Sequence, residues 1–302
     1  MRVLNLIKRF LLNPEIRMGY FSKLGLYNKL SDEDYINKRF KTIMKYNLDL
    51  NNVNTFNEKL QWLKLYDRKT IYTTMVDKYL VKEYVSKNIG EEYVIPTLAH
   101  WENEKMIDFE SLPEQFVLKC NHNSGTGMFI CKSKEMINEK RVRAQLKRGL
   151  KENYYLKERE WPYKNVKKVI IAEKYMGSDL CDYKIQCFNG VADNILVCYG
   201  RESKEGVKYY YFNKNWEYLP YSKQIDESFH DYKLLKPQNL NLMISLAEKL
   251  ASNVPQIRVD FYEINGRVYF GELTFFTQGG FDTTITREAD EIMGQKLVLE
   301  DK

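Results

Sequence analysis

Two short strands joined by Asn265-Gly266 constrain this chain more than any other stretch, because of where they place charge. Residues 256–263 and 267–275 alternate apolar or β-branched with polar types, the period-two pattern of a hairpin. The polar positions include Arg258 and Asp260 on the first strand and Glu272 and Thr274 on the second. A type I turn on Ile264 and Asn265, with Gly266 as a left-handed bulge residue, sets Asp260 against Phe270 and Arg258 against Glu272, so that all four share one face. A two-residue Asn-Gly type I′ turn shifts the pairing by one and sends the carboxylates to opposite faces. The functional reading therefore requires the bulged turn. Taken alone, such charges are routine on the solvent face of an antiparallel hairpin, so the rest of the chain has to decide.

Upstream, Phe116–Cys120 reads as a short strand, 121–127 as a small polar loop and Met128–Cys131 as the return strand. Ser124, Gly125 and Gly127 let backbone N–H groups approach a phosphate closely, and Lys119 adds a point charge. The Gly-Lys-Ser/Thr ending of a P-loop is absent. His122 in this loop suits either a phosphate contact or a structural role. Val169–Glu173 is a buried-type strand running into Lys174-Tyr175-Met176-Gly177, and 182–188 and 191–199 flank a second Asn-Gly turn at Asn189-Gly190.

In this order the segments resemble the ATP-grasp fold, and more closely its branch related to the teichuronopeptide-biosynthesis protein. The resemblance runs through Asp77-Lys78, Tyr93-Val94-Ile95-Pro96, Phe116 to Gly127, Ile171 to Met176, Asp182-Tyr183-Lys184, Arg258 to Tyr262 and Tyr269 to Phe275, roughly the last three quarters of the chain. It implies an α+β architecture of antiparallel sheets with flanking helices and a nucleotide between two lobes. An N-terminal helical region (1–70) would brace an ATP-grasp domain (71–302) with lobes near 71–115, 116–176 and 177–302.

The resemblance further implies a carboxylate–amine ligase that uses ATP and Mg²⁺ through an acyl phosphate. Asp260 and Glu272 would ligate the metal. Thr274 stands where the family usually has the Asn of Glu-x-Asn, and its neutral hydroxyl is a poorer ligand for a second ion. Lys119 would hold the α/β-phosphates and Lys184 a phosphate or substrate. Glu173, Lys174, Tyr175 and Met176 would form the adenine hinge, and Asp182 would meet the ribose. Arg258 would steady the γ-phosphoryl group or the acyl phosphate, and Gln278-Gly279-Gly280 would offer amides to an anionic substrate. Arg201, directly after the 191–200 strand, reads either as a carboxylate or phosphate clamp or as a solvated turn arginine. The branch points to a small-molecule or glycan acceptor bearing a carboxylate, a uronic acid in cell-surface polysaccharide assembly, joined to an amino acid or peptide amine. A sugar kinase would use the same nucleotide site without forming an amide. A glycosyltransferase would instead need an Asp-x-Asp motif, which Asp290-Glu291 is not, and a silent scaffold would need a decayed site.

Composition narrows the class. With 302 residues and 44% apolar content the chain can bury one sizeable core. Forty-seven basic and 41 acidic residues leave a net +6 spread along the chain, without the clustered basic face of nucleic-acid binding. Five cysteines, mostly in expected strands and odd in number, read as reduced core residues of a cytoplasmic protein. Residues 2–12 are apolar with basic punctuation, too short for a membrane span and unlike a secretory signal. They suit a helix packed on the protein or lying on the inner membrane face. Ser31/Asp34 and Thr55/Glu58 mark helix starts, helices are expected over 77–87 and 238–251, and a basic helix over 141–156 is expected to lie over the nucleotide.

Overall fold

A computed structural model describes residues 10–178, 180–199, 207–224, 234 and 236–300. Residues 10–12 are helical, and three helices follow them, each started by the side chain that the sequence offers. Asn13 accepts from the amides of Glu15 and Ile16 to cap α1 (Pro14–Lys23), and Ser31 caps α2 (Asp32–Met44) through the Asp34 amide. Thr55 and Glu58 close a reciprocal capping box on α3 (Phe56–Tyr66), worth about 1 kcal/mol. Two shorter helices follow, α4 (Ile71–Val76) and α5 (Val81–Ile89), the latter ended by Gly90 with φ 125°.

Among the described residues ten strands make two antiparallel sheets. The smaller has β1 (Thr97–Trp101), β2 (Phe116–Cys120), β3 (Met128–Cys131) and β4 (Ile170–Lys174) in the order β1-β4-β2-β3. Pairing of β1 with β4 crosses the lobe division expected near 115. Helix α6 (Glu139–Lys151) packs against β2 and β3 through Val142 and Leu146, in a core with Phe116 and Leu118. Gly127 and Gly149 touch there, since a Cβ on Gly127 would lie 2.9 Å from Gly149 Cα and 2.8 Å from Cys120 Sγ. A short helix, α7 (Tyr154–Glu158), leads back to β4.

The larger sheet has β5 (Asp182–Phe188), β6 (Val191–Tyr199), β7 (Lys208–Asn213), β8 (Tyr218–Leu219), β9 (Gln256–Ile264) and β10 (Arg267–Thr274), ordered β10-β9-β5-β6-β7-β8. Helix α8 (Leu240–Ala251) covers one face, burying Met243, Leu246, Ala247 and Leu250 in the main core with Ile257, Val259 and Phe261 of β9. Alternation along β9 then turns Arg258 and Asp260 to the other face. Phe56, Leu60 and Leu63 of α3 join that main core, so α3 is part of the body rather than an outlying brace. Helix α9 (Arg287–Lys296) closes the fold against α3. No disulfide joins the five cysteines.

Candidate active site

The β9–β10 hairpin brings its four polar residues together by a route different from the expected one. Asn265 and Gly266 have φ 51° and 73° and join Ile264 directly to Arg267, which is the two-residue turn and not the bulged one. Register is shifted farther along, between Phe270 and Glu272. Gly271 is the extra residue, in a gap where a Cβ would meet the Tyr262 ring at 3.0 Å and Asp260 O at 3.1 Å. Beyond it Glu272 pairs with Asp260 and Thr274 with Arg258, so the four share a face after all.

On that face Arg258 donates through Nε and Nη2 to Asp260 (2.6 and 2.8 Å) and through Nη2 to Thr274 Oγ1 (3.0 Å). Lys184, opposite Asp260 on β5, donates to the same carboxylate, and its Nζ lies 3.6 Å from Asp182. Glu272 receives Lys78 Nζ at 2.9 Å, and Lys78 also donates to Asn123 O of the polar loop at 2.9 Å. Burial alone would push the Glu272 carboxyl up. Lys78, Arg258 and Lys184 overcome it and hold the group at about 2, well ionised at neutral pH. Burial likewise disfavours charge on Arg258, but Asp260 outweighs it and keeps the guanidinium charged.

Two cavities meet at this cluster, one of about 240 Å³ between the sheets and one of about 420 Å³ toward β6 and β7. Both are lined by Lys78, Lys119, Met128, Tyr262, Gly271 and Glu272. Apolar side chains including Val81, Val94, Val117 and Leu273 wall the smaller one, with Lys174, Tyr175 and Met176 along its rim strand. That combination of apolar walls and a polar backbone edge suits a planar heterocycle. Glu173 does not face it as a free acid. Its carboxylate joins Lys119 (2.5 Å) to Lys82 (2.6 Å), and these two cations hold its pKa down despite burial.

The larger cavity takes Ser124 and Gly125 of the loop, Lys184, Arg258 and Gln278. Other expected site residues lie elsewhere. Gly127 is buried against α6 and accepts from the Cys120 amide through its carbonyl. His122 is buried with Nε2 3.2 Å from Glu152 O, and burial lowers its pKa to about 4, leaving a neutral ring with a structural role rather than a phosphate-binding cation. Asp182 is buried beside Lys184 and lines neither cavity. Gly279 and Gly280 do not offer open amides: the Gly279 amide donates to Phe276 O (2.9 Å) and both glycines are buried. Their carbonyls receive Lys64 Nζ and Gln61 Nε2, respectively. Helix α6 packs on the small sheet rather than over the two cavities, because Val142 and Leu146 bury its apolar face there. Arg201 lies outside the described residues.

Lys78, Lys82, Thr277 and Asp282 have no assigned role in the sequence reading. Lys78 carried a signal in Asp77-Lys78, where Asp77 accepts from the amides of Tyr79 and Leu80 and from Asn121 Nδ2, pinning the backbone that projects Lys78. Lys82 follows one helical turn later.

A cation has suitable donors here. Among the described residues no group of three or more His, Cys, Asp or Glu forms a metal cage. Mg²⁺ rarely uses one, taking one or two carboxylates with phosphate oxygens. Glu272 fits that demand on both cavities. Asp260 is already shared by Arg258 and Lys184, and the Thr274 hydroxyl accepts from Arg258.

Comparison with known proteins bears on this geometry. The family described as TupA-like ATPgrasp matches residues 58–298. Among solved structures the chain is similar to the D-alanine–D-alanine ligase of Helicobacter pylori, at 19% identity and TM-score 0.42 over 82% of this chain and 71% of that one. It is also similar to the D-alanine–D-alanine ligase of Bacillus anthracis, at 14% identity and TM-score 0.45 over 94% and 90%. No curated protein matches. The family match spans most of the chain and carries with it the ATP-grasp fold and ATP-dependent ligase chemistry. The chain belongs to the TupA-like ATP-grasp family.

Proposed function

We propose that this protein joins an amine to the carboxylate of a uronic-acid sugar in cell-surface polysaccharide assembly, through an acyl phosphate and with Mg²⁺. The observation that carries this reading is the seam between the two cavities, lined by Lys78, Lys119 and Glu272, with Lys184 and Arg258 beside it in the larger cavity. Negative charge spreads over the phosphoryl group in transfer, and cations fixed in advance lower that barrier without reorganising. Adenine would lie in the smaller cavity along Lys174–Met176, with the triphosphate reaching Lys119 and the Ser124-Gly125 loop. Glu272, with Asp260 behind it and Thr274 as a weaker oxygen, would hold Mg²⁺, which neutralises phosphate charge when bound. A carboxylate oxygen of the sugar then bonds to the γ-phosphorus as the bridge to ADP breaks. The amine attacks the acyl carbon, the C–N bond forms, phosphate leaves with the C–O electron pair and the nitrogen sheds a proton. Lys184 and Arg258 face the larger cavity where these steps would occur.

Calorimetry tests the nucleotide half of the proposal. Mg²⁺-dependent ATP binding in the micromolar range is expected for the wild type, with at least a tenfold loss in Lys119→Ala. ADP release with glucuronate plus an amino acid, and an amide product, would separate the ligase from a sugar kinase. Wild-type protein that binds no ATP would sink both.

A peripheral membrane contact belongs to the same proposal. Residues 2–9 lie outside the described residues, and exposed apolar side chains are found just after them. Leu12, Ile16, Tyr20 and Leu24 are spaced by four and all exposed, while Met18 faces inward. Among the described residues no helix is long and apolar enough to cross a membrane. The wild type is expected to sediment with phosphatidylglycerol vesicles and the triple variant Leu12→Ser, Ile16→Ser, Leu24→Ser to stay in solution. Equal partitioning of the two would remove this contact.

A further inference from the structure

We infer that Asp282 and Thr277 hold the ammonium group of the amine substrate in the larger cavity before it loses its proton and attacks. This deepens the ligase reading above and rests on it. Thr277 is 8% exposed, and its Oγ1 has no hydrogen-bond partner among the described residues. Buried hydroxyls are rarely left so without a ligand or water to meet them. Asp282 is 5% exposed, and one of its carboxylate oxygens, Oδ1, is taken by the Thr284 amide (2.9 Å) and hydroxyl (2.6 Å). Among the described residues no hydrogen bond reaches Oδ2 and no cation pairs with the carboxylate. Both side chains line the larger cavity.

The turn that carries them is rigid before any substrate arrives. Asn57 of α3 accepts from the Asp282 amide at 2.7 Å and donates to the Asp282 carbonyl at 3.2 Å. Lys64, fully buried, donates to Gly279 O and also to Gln61 Oε1 (2.9 Å) and Glu158 O (3.0 Å). Such pre-organisation is what a recognition group needs.

The cavity carries both signs of charge. Lys78, Arg258 and Lys184 act on Glu272, whereas Asp282, the other carboxylate lining the cavity among the described residues, keeps an acceptor open. An ammonium ion is attracted to that carboxylate, where Asp282 Oδ2 and Thr277 Oγ1 supply acceptors. A neutral sugar hydroxyl would draw no comparable gain from a buried carboxylate. The arrangement therefore selects a charged amine as the second substrate.

The test uses the full chain loaded with Mg²⁺ and a non-hydrolysable ATP analogue. It is titrated with glycine, alanine, glutamate and lysine, with their N-acetyl forms, and with glucuronate. The wild type is expected to bind at least one of the amines, with its N-acetyl form at least tenfold weaker. Asp282→Asn and Thr277→Val are each expected to weaken the amine tenfold or more and to leave nucleotide and glucuronate affinities within twofold. Asp282→Asn that binds the amine like wild type overturns the inference, as do N-acetyl forms that bind equally well. So does a wild type that takes nucleotide and glucuronate but no amine. Wild type that takes no nucleotide removes the ligase reading itself, and this inference with it.

Discussion

Glu272→Gln is expected to weaken Mg²⁺-dependent ATP binding at least tenfold and to lower turnover by roughly 10²–10³, with little change in melting temperature. The substitution keeps the shape of the side chain and removes its charge. Glu272 is the one acid among the residues that line both cavities, and it is ionised because Lys78, Arg258 and Lys184 outweigh the cost of burying it. A glutamine in its place would still accept a hydrogen bond from Lys78 but could neither balance that charge nor act as an anionic metal ligand. Calorimetry with and without Mg²⁺ reads the first effect and ADP release the second. The dependence on Mg²⁺ is the informative part. If the variant binds ATP as the wild type does in Mg²⁺, Glu272 is not a metal ligand and the cation cluster alone serves the phosphates.

Gly294→Ala is expected to destabilise the fold by roughly 3 kcal/mol, although alanine is the better helix former by about 1 kcal/mol. Gly294 lies in α9 where that helix crosses the start of α3. A Cβ there would stand 2.2 Å from Asn54 O, 2.8 Å from Phe56 N and 2.8 Å from Thr55 C. All three are backbone atoms at the capped end of α3, so no side chain can swing aside. The helices would have to separate. That motion strains the bonds that join them, from Lys59 Nζ to Gly294 O and Leu297 O (2.8 and 2.7 Å) and from the Asn57 amide to Asp290 (2.8 Å). A melting temperature lower by roughly 5–10 °C follows for a domain of this size. A value within 1 °C of wild type would show that α9 slides freely over α3. Because Asn57 also holds Asp282, the variant is expected to loosen the turn that carries Asp282 as well.

How much of this was legible in the chain depends on how far each cause reaches. Strand periodicity placed Arg258, Asp260, Glu272 and Thr274 on a hairpin, and Ser31 and the Thr55/Glu58 capping box placed helix starts, because these depend on residues a few positions apart. The turn at Asn265-Gly266 was misassigned, since a tight turn alone would have separated the carboxylates. What reunites them is a bulge at Gly271, favoured by the Tyr262 ring packed across the neighbouring strand. That contact is a property of the folded pair and not of the turn sequence. Gly127 looked like a phosphate-loop glycine and serves a helix contact instead, because Gly149 lies across from it in space.

By itself, then, the sequence determined the order of elements, the resemblance to ATP-grasp proteins and the identity of the acidic pair on β9 and β10. Local hydrogen bonding and side-chain alternation are short-range, so composition and spacing record them. Tertiary structure alone decided which cations meet Glu272, since Lys78 comes from a segment nearly two hundred residues away. It also decided that Asn57 and Lys64 of α3 brace the turn carrying Thr277 and Asp282. Long-range pairs such as these are set by how the two sheets and the helices pack, and no spacing within the chain encodes them.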